Sequence, residues 1–355
     1  MKPDISVIMS VYNGETYLKE AIESVINQTF KNWELIIIND CSTDSTGEIL
    51  AEFSAKDERV KVYPNEVNLK LPSSLNRAIS LSSGKYIARM DADDICLPDR
   101  FEKQYKFMEE NDDVALSSCR FMTVKNGVYM SGGAGGRCDF RAIKAMLFVA
   151  NPILHPGVIA RAEILKNFNY DTTLTCTEDL ELWTRLAASG MKMEILPECL
   201  LFYRLHDKQI TSTTLERQHK EVVKIQQKYY DILAEKMDED KEKFYISGVY
   251  FKENPDIDQF IKYSKWLRVA TKKSLRKKDI DYALFEILAE YKRYGMSKKE
   301  ILKVMSTFSP WFLVNEIIRR KKTAKCDIEK CMKVSKSQGL KKTAGTKEFP
   351  IFENR

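Results

Sequence analysis

Apolar residues recur in two alternating patterns over the first hundred positions. "ISVIMSV" (Ile5 to Val11) is a short apolar run closed by the turn signal "YNG". Leu18, Ala21, Ile22, Val25 and Ile26 then repeat at helical spacing. "WELIIIND" holds Ile36, Ile37 and Ile38 in succession, so both faces of this strand are expected to be buried, as in a parallel sheet. "CSTDSTGEILAEF" opens a second helix, with Ser45 and Glu48 at capping-box spacing. "VKVYPN" reads as a third strand, "SSLNRAISLS" as a helix ending at Gly84, and "KYIARM" as a fourth strand. This β-α-β-α-β-α-β order predicts an α/β fold, a mostly parallel central sheet with helices on both faces. Ligands bind such sheets beyond the carboxyl ends of the strands. Polar residues stand at those ends: Tyr12 and Asn13 after the first strand, Asp40 after the second, and Asp91 to Asp94 after the fourth.

From about Asp99 the pattern changes. "DRFEKQYKFMEEN" reads as a helix and "VALSSCRFMTV" as a strand, followed by the glycine-rich loop "SGGAGGR", expected to be mobile. "TEDLELWTRLAASG" is a helix closed by Gly190, and "MEILPECLLFYRLHD" reads as strands. From about Leu215 to Ser335 helical periodicity dominates, as in Val222, Val223, Tyr229, Tyr230, Ile232 and Leu233. A boundary is therefore expected near residue 215, with a helical basic region over 216–335 and a loose tail over 336–355.

The 355 residues are 44% hydrophobic and 30% charged, which suits a globular protein of two regions. No run of about 18 apolar residues predicts a spanning helix. The N-terminus reads as a buried strand, without the basic start and long apolar stretch of a signal peptide. Eight scattered cysteines form no C-x-x-C pair, and Cys326 and Cys331 lack partners at zinc spacing; free thiols in a reducing cytoplasm are expected. The net charge of +6 hides an asymmetry. Residues 262–355 carry 25 Lys and Arg against 10 Asp and Glu, so an acidic front precedes a strongly basic end.

"YIARMDADDICLPDR" ends a strand by crowding Asp91, Asp93 and Asp94 together. Such carboxylates repel and lose hydration on burial. Asp94 or Asp99 could serve only as helix caps. At a ligand-binding edge, however, hard oxygen ligands suit Mg²⁺ or Mn²⁺, which keep positions open for substrate phosphates. A cation bridging two phosphates would neutralise a leaving diphosphate. Asp40 could accept a hydrogen bond from a nucleobase N–H, and the Tyr12 ring could pack on the base. In "TEDLELW", Glu178 and Asp179 start a helix. Either they only complement its positive end, or one is a general base for an attacking hydroxyl. No G-x-G-x-x-G follows the first strand and no G-x-x-x-x-G-K-[ST] occurs, which excludes a dinucleotide oxidoreductase and a P-loop NTPase.

Taken together, "ISVIMSVYNGETYLKEAIESVINQTF", "WELIIINDCSTDST", "LNRAISLSSGKYIARMDADDICLPDR" and "TED" resemble family 2 nucleotide-sugar glycosyltransferases of the GT-A fold, over about Ile5 to Thr211. The resemblance implies a catalytic domain over 1–215, its nucleotide-sugar half about 1–98 and its acceptor half about 99–215. It implies an inverting single displacement from a UDP-sugar. Asp40 would read uracil, Tyr12 would lie beside the base and Glu15 would support the nucleotide loop. Asp91, Ala92 and Asp93 match the D-x-D motif, with Asp93 a direct ligand of Mn²⁺ or Mg²⁺ and Asp91 near the ribose or the metal's waters. Asp179 matches the catalytic base. "HPGVIAR" with His155, and "YRLHDKQIT" with Arg204 and His206, resemble segments near acceptor and diphosphate; His206 is a candidate at the metal.

Two departures stand out. Lys70 occupies the place where the family often has glycine in N-x-G-L, and the Q-x-x-R-W motif of processive synthases is absent. The expected enzyme adds one sugar to a glycan acceptor, lipid-linked and bound for a surface polysaccharide, with no nucleic-acid partner. An inactive scaffold subunit is the rival reading; a sugar-phosphate nucleotidyltransferase would need a Gly-rich basic loop where "VYNGE" stands. His219 receives no role. "SPWFLVNEIIRRKKTAK" sets Trp311, Phe312, Leu313, Val314, Ile317 and Ile318 beside four basic residues, so a cytoplasmic enzyme peripheral on an anionic membrane is expected.

Overall fold

Four parallel strands build the part of the sheet that the sequence pattern predicts. They are β1 (Ile5–Val11), β2 (Trp33–Asn39), β3 (Val60–Pro64) and β4 (Tyr86–Arg89), ordered β3-β2-β1-β4. This is seen in a computed structural model describing residues 2–125, 128–132, 139–206, 215–233, 257–291, 297–313 and 341–342. Side chains alternate across a strand, and here each face has its own helices. Val7, Met9, Leu35 and Ile37 pack on α1 (Leu18–Ile26), α2 (Thr46–Lys56) and α4 (Arg100–Glu110). Ile8, Ile36 and Ile38 pack on α3 (Lys70–Leu81) and α7 (Glu178–Ala188). That two-sided burial is why three isoleucines follow one another.

Beyond β4 the sheet turns mixed. β8 (Ile159–Arg161) pairs antiparallel with both β4 and β6 (Val114–Lys125), and β7 (Val128–Gly132) extends the edge. The long β9 (Lys192–Leu205) runs parallel to β6 and antiparallel to the two-residue β5 (Ile95–Cys96). This pairing carries the end of β9 to the loop after β4. Two short helices, α5 (Phe140–Met146) and α6 (Ala162–Phe168), accompany the mixed part of the sheet.

Two buried polar devices fix the frame. Gly84 precedes β4, and a Cβ there would lie 2.7 Å from the Ser6 backbone nitrogen, so only glycine permits the approach. Beside it, burial would push the Glu34 carboxyl up, but Lys61, Ser6 and Ser83 donate to it and hold it down at about 2. The guanidinium of fully buried Arg100 donates to the carbonyls of Arg89 (2.8 Å) and Val158 (3.3 Å), bracing the end of β4 against the chain entering β8.

The capping box expected at Ser45 and Glu48 is not formed. Ser45 has φ −70° and ψ 6°, and its side chain accepts no cap bond. Asp44 takes the task, its Oδ1 accepting from the Thr46 amide. Asp99, considered as a cap, occupies the N-cap position of α4 without a capping bond and pairs with Lys103 instead. Gly190, at φ +77°, ends α7 as expected.

The C-terminal region is helical: α8 (Leu215–Leu233), α9 (Ile257–Ala270), α10 (Lys277–Tyr291) and α11 (Lys298–Met305). One apolar cluster continues from Ile8 and Phe148 through Tyr229, Phe260 and Leu284 to Phe308. Residues 133–138 of the glycine-rich loop lie outside the described residues, as does the tail except for Lys341–Lys342 (β10), beside β7. Among the described residues, Cys41, Cys96, Cys119, Cys176 and Cys199 are in no disulfide, and no helix is long and apolar enough to cross a membrane.

Candidate active site

The carboxyl ends of β1, β2 and β4 converge on one edge, and the loops that leave them are laced together. Asn13, in the left-handed region at φ 52°, accepts from the Thr43 amide through its side-chain oxygen (2.8 Å) and donates its own amide to Ser42 Oγ (3.0 Å). The Gly14 amide donates to Thr46 Oγ1, where an added Cβ would strike Val11 Cγ2 at 2.5 Å. Glu15 closes the lacing: its amide donates to Asp44 Oδ2, and its carboxylate accepts from the Ser45 amide at 3.1 Å. Tyr12 stands above this loop with half its surface exposed.

Asp40 is buried at the end of β2. Its Oδ1 accepts two hydrogen bonds, from Asn65 Nδ2 (2.7 Å) and from the Leu69 amide (2.8 Å). Asn65 and the Leu69 amide thus hold the Asp40 carboxylate, which sequence reading missed. Lys70 follows at φ 69°. The loop keeps the left-handed backbone that a glycine would favour, at a cost of about 1–2 kcal/mol for a residue with a Cβ.

Asp91, Asp93 and Asp94 bring one carboxylate oxygen each to within 4.8 Å of one another. Asp94 is fully buried. Its Oδ1 accepts from the Arg204 amide (2.9 Å), while Oδ2 has no hydrogen-bond partner among the described residues. Burial, and then the charges of Asp93 and Asp91, push its carboxyl well above the usual range. An orphaned buried carboxylate oxygen beside two further carboxylates fits a hard divalent cation. Asp94 is therefore not the helix cap considered from sequence. Asp91 pairs with buried Arg89, a partner that sequence reading also missed.

β9 delivers Arg204 and His206 to this cluster. Arg204 Nε donates to the Asp93 carbonyl (2.8 Å) and Nη2 to Glu20 Oε2 (2.6 Å), with its guanidinium 4.5 Å from the Tyr17 ring centroid. His206 Nε2 lies 2.9 Å from Asp93 Oδ2, and its ring is 5.0 Å from Tyr17. Tyr17 and Glu20 lie on the "ETYLKE" stretch and carry no sequence signal of their own. Only the fold brings them to residues nearly two hundred positions away.

The Thr177-Glu178-Asp179 triplet begins α7. Thr177 Oγ1 donates to Glu221 of α8 (2.8 Å). Asp179 Oδ1 accepts from the Leu180 amide and Oδ2 from Asn151 Nδ2, both at 2.7 Å. Glu178 is buried; burial and the adjacent Asp179 charge push its carboxyl up to about 7. Glu178 and Tyr170 feel the charges of Asp179 and Asp91 alike, which ties this helix start to the acidic cluster. His155 is a buried, hydrogen-bonded histidine: Nε2 is 2.8 Å from the Tyr170 hydroxyl and Nδ1 3.8 Å from Glu178 Oε1.

Comparison with known proteins agrees with this geometry. The sequence model "Glycosyl transferase family 2" matches residues 6–167. An uncharacterized glycosyltransferase of Methanocaldococcus jannaschii is 36% identical over 253 residues, which cover 70% of this chain and 84% of the relative. The O-antigen biosynthesis glycosyltransferase WbnJ of Escherichia coli is 34% identical over 217 residues, 59% of this chain and 83% of WbnJ. Among solved structures, S. aureus TarS 1–349 in complex with UDP-GlcNAc superposes with a TM-score of 0.56 at 18% identity, over 84% of this chain and 93% of TarS 1–349. Mannosyltransferase PcManGT from Pyrobaculum calidifontis, in complex with GDP-Man and Mn²⁺, gives 0.53 at 13% identity, over 92% and 87%. The two structures share the fold, the GT-A arrangement that the sequence resemblance implies. The sequence identity goes further than the fold, extending over most of a relative's length, and on that ground the chain belongs to glycosyl transferase family 2.

Proposed function

We propose that this chain is a metal-dependent, inverting transferase that moves one sugar from a UDP-sugar to a hydroxyl of a glycan acceptor. The observation that carries the reading is the convergence on one sheet edge of a base-reading carboxylate, Asp40, and an acidic cluster, Asp91 to Asp94, electrostatically joined to the Asp179 helix start. Relatives named for O-antigen and teichuronic acid biosynthesis support a role in surface polysaccharide assembly.

Asp40 supports uridine as the base. With Oδ1 committed to two donors, Oδ2 remains for the ligand. Uracil offers one N–H between two carbonyls, whereas guanine offers two N–H groups that call for both oxygens. Tyr12 covers the base, and Glu15 holds the loop that carries it. Asp93, with Asp91, Asp94 and His206 around it, would hold Mn²⁺ or Mg²⁺. Bound there, the cation would offset the charge that grows on the departing diphosphate. Arg204 adds a fixed positive charge on the same side. Asp179 takes the proton of the acceptor hydroxyl as its oxygen bonds to the anomeric carbon. The bond from that carbon to the diphosphate breaks on the opposite face, and UDP leaves with the bonding electrons. Supplied with Mn²⁺ and a UDP-sugar, the protein should release UDP slowly to water. Absence of both release and UDP binding would favour the scaffold reading.

A lipid-linked acceptor calls for a membrane, and the basic C-terminal region supports one. The structure narrows the apolar face read from sequence. Phe312 packs on Phe308 and Phe285, and Leu313 joins the core, while Trp311 stays three-quarters exposed; residues 314–322 lie outside the described residues. Trp311 with the basic residues that follow it in the sequence would dock on anionic lipid, each basic residue contributing about 1 kcal/mol near the surface. Full-length protein should co-sediment with anionic vesicles at low salt and dissociate as salt rises. If it does not bind, or if Trp311→Ser and deletion of 309–355 leave binding unchanged, the region has another role.

A further inference from the structure

We propose that Asn151 is a positioning residue for the reaction: its carboxamide aims the Asp179 carboxylate and keeps it ionised. The inference rests on the reading of Asp179 as the base. Asn151 comes from the loop after α5, where Pro152 restricts its backbone to an extended form. Its Oδ1 accepts from the Ile153 amide (3.2 Å), which anchors the side chain, and its Nδ2 donates to Asp179 Oδ2 at 2.7 Å. The other oxygen of Asp179 takes the Leu180 amide, at the start of α7. The two hydrogen bonds therefore reach the carboxylate from two separate elements and fix its plane.

The same contacts decide which of two adjacent carboxyls keeps its charge. Glu178 and Asp179 disfavour each other's ionisation. Glu178 is only 4% exposed, and its Oε2 has no hydrogen-bond partner among the described residues. Asp179 has a donor on each oxygen. Among the described residues, the titratable and charged groups around the pair include Tyr170, His155, Arg89 and Asp91 at the end of β4, and Glu221 of α8, which accepts from Thr177 beside Glu178. Among the bonds to Asp179, that from Asn151 is a side-chain donor that substitution can remove.

A donor to the ionised form lowers a carboxyl pKa, so losing it raises that pKa. The base works unprotonated. Removing Asn151 should therefore move the acid limb of the kcat–pH profile to higher pH. Asn151→Asp keeps an oxygen for the Ile153 amide but loses the donor and adds a second negative charge. Asn151→Ala loses both. With saturating UDP-sugar, Asn151→Ala is expected to lower the pH-independent plateau of kcat by about tenfold, because the carboxylate loses its aim, and to move the acid limb up by about one unit. Asn151→Asp should move it further, and the KM for donor should stay within about twofold in both. A loop-supporting role predicts the reverse: Asn151→Asp normal, Asn151→Ala less thermostable, and neither profile moved. That outcome, with Asp179→Asn inactive, overturns this inference alone. An active Asp179→Asn enzyme instead overturns the base assignment. Should Asn151→Asp not fold, the Asn151→Ala profile decides the question.

Discussion

Replacing Asp93 by asparagine is expected to abolish metal-dependent donor binding and to lower turnover about a thousandfold or more, while the fold stays intact. Asp93 sits at the centre of the candidate metal site: its carboxylate faces His206 and belongs to the cluster formed with Asp91 and Asp94. Loss of one charged ligand removes several kcal/mol of transition-state stabilisation, and each 1.4 kcal/mol is about tenfold in rate. The architecture should survive because Arg204 holds the Asp93 backbone carbonyl, which the substitution keeps, and the side chain is partly exposed. The measurements are turnover with Mn²⁺ and the melting temperature. Near-normal turnover would show that the metal is held elsewhere.

Asp179→Asn is expected to separate chemistry from binding. The amide is isosteric and can still accept the Leu180 amide, yet it cannot take a proton. Loss of a general base costs about 10²–10⁴ in rate, and it should appear in turnover while donor affinity stays nearly constant. The single oxygen of the new amide can serve either the Leu180 amide or Asn151 Nδ2, so one of these two donors loses its acceptor. A variant that binds donor poorly yet transfers normally when saturated would make Asp179 a binding residue.

The central sheet was legible because its signals are local. A triple isoleucine run, β-branched and short, favours a strand with two buried faces, and alternation with helical repeats favours parallel order. The acidic cluster was legible for the same reason: three carboxylates within four positions need no knowledge of the fold to be noticed. What sequence reading missed is non-local. Asn65 and the Leu69 amide reach Asp40 from the next strand and loop, Asn151 reaches Asp179 from another loop, and Glu20 meets Arg204 only because β9 returns beside β5. None of these residue types is unusual where it stands. One local rule also misled. Ser45 has the right spacing for a capping box, but Glu15 already takes its amide. Lys70, where the family often has glycine, has the positive φ of 69° that a glycine would favour. Phe312 illustrates the remaining ambiguity, since an apolar residue beside a basic run suits a lipid surface and a helix core equally, and here packing on Phe308 took it.

The most direct test of a metal-dependent UDP-sugar site is calorimetric titration of the wild-type protein with UDP and with GDP, each with Mn²⁺ and again with chelator. The account predicts that UDP with Mn²⁺ binds at least about tenfold more tightly than UDP with chelator or GDP with Mn²⁺, a difference of about 1.4 kcal/mol. Equal affinity with and without metal, or a preference for GDP, would contradict it.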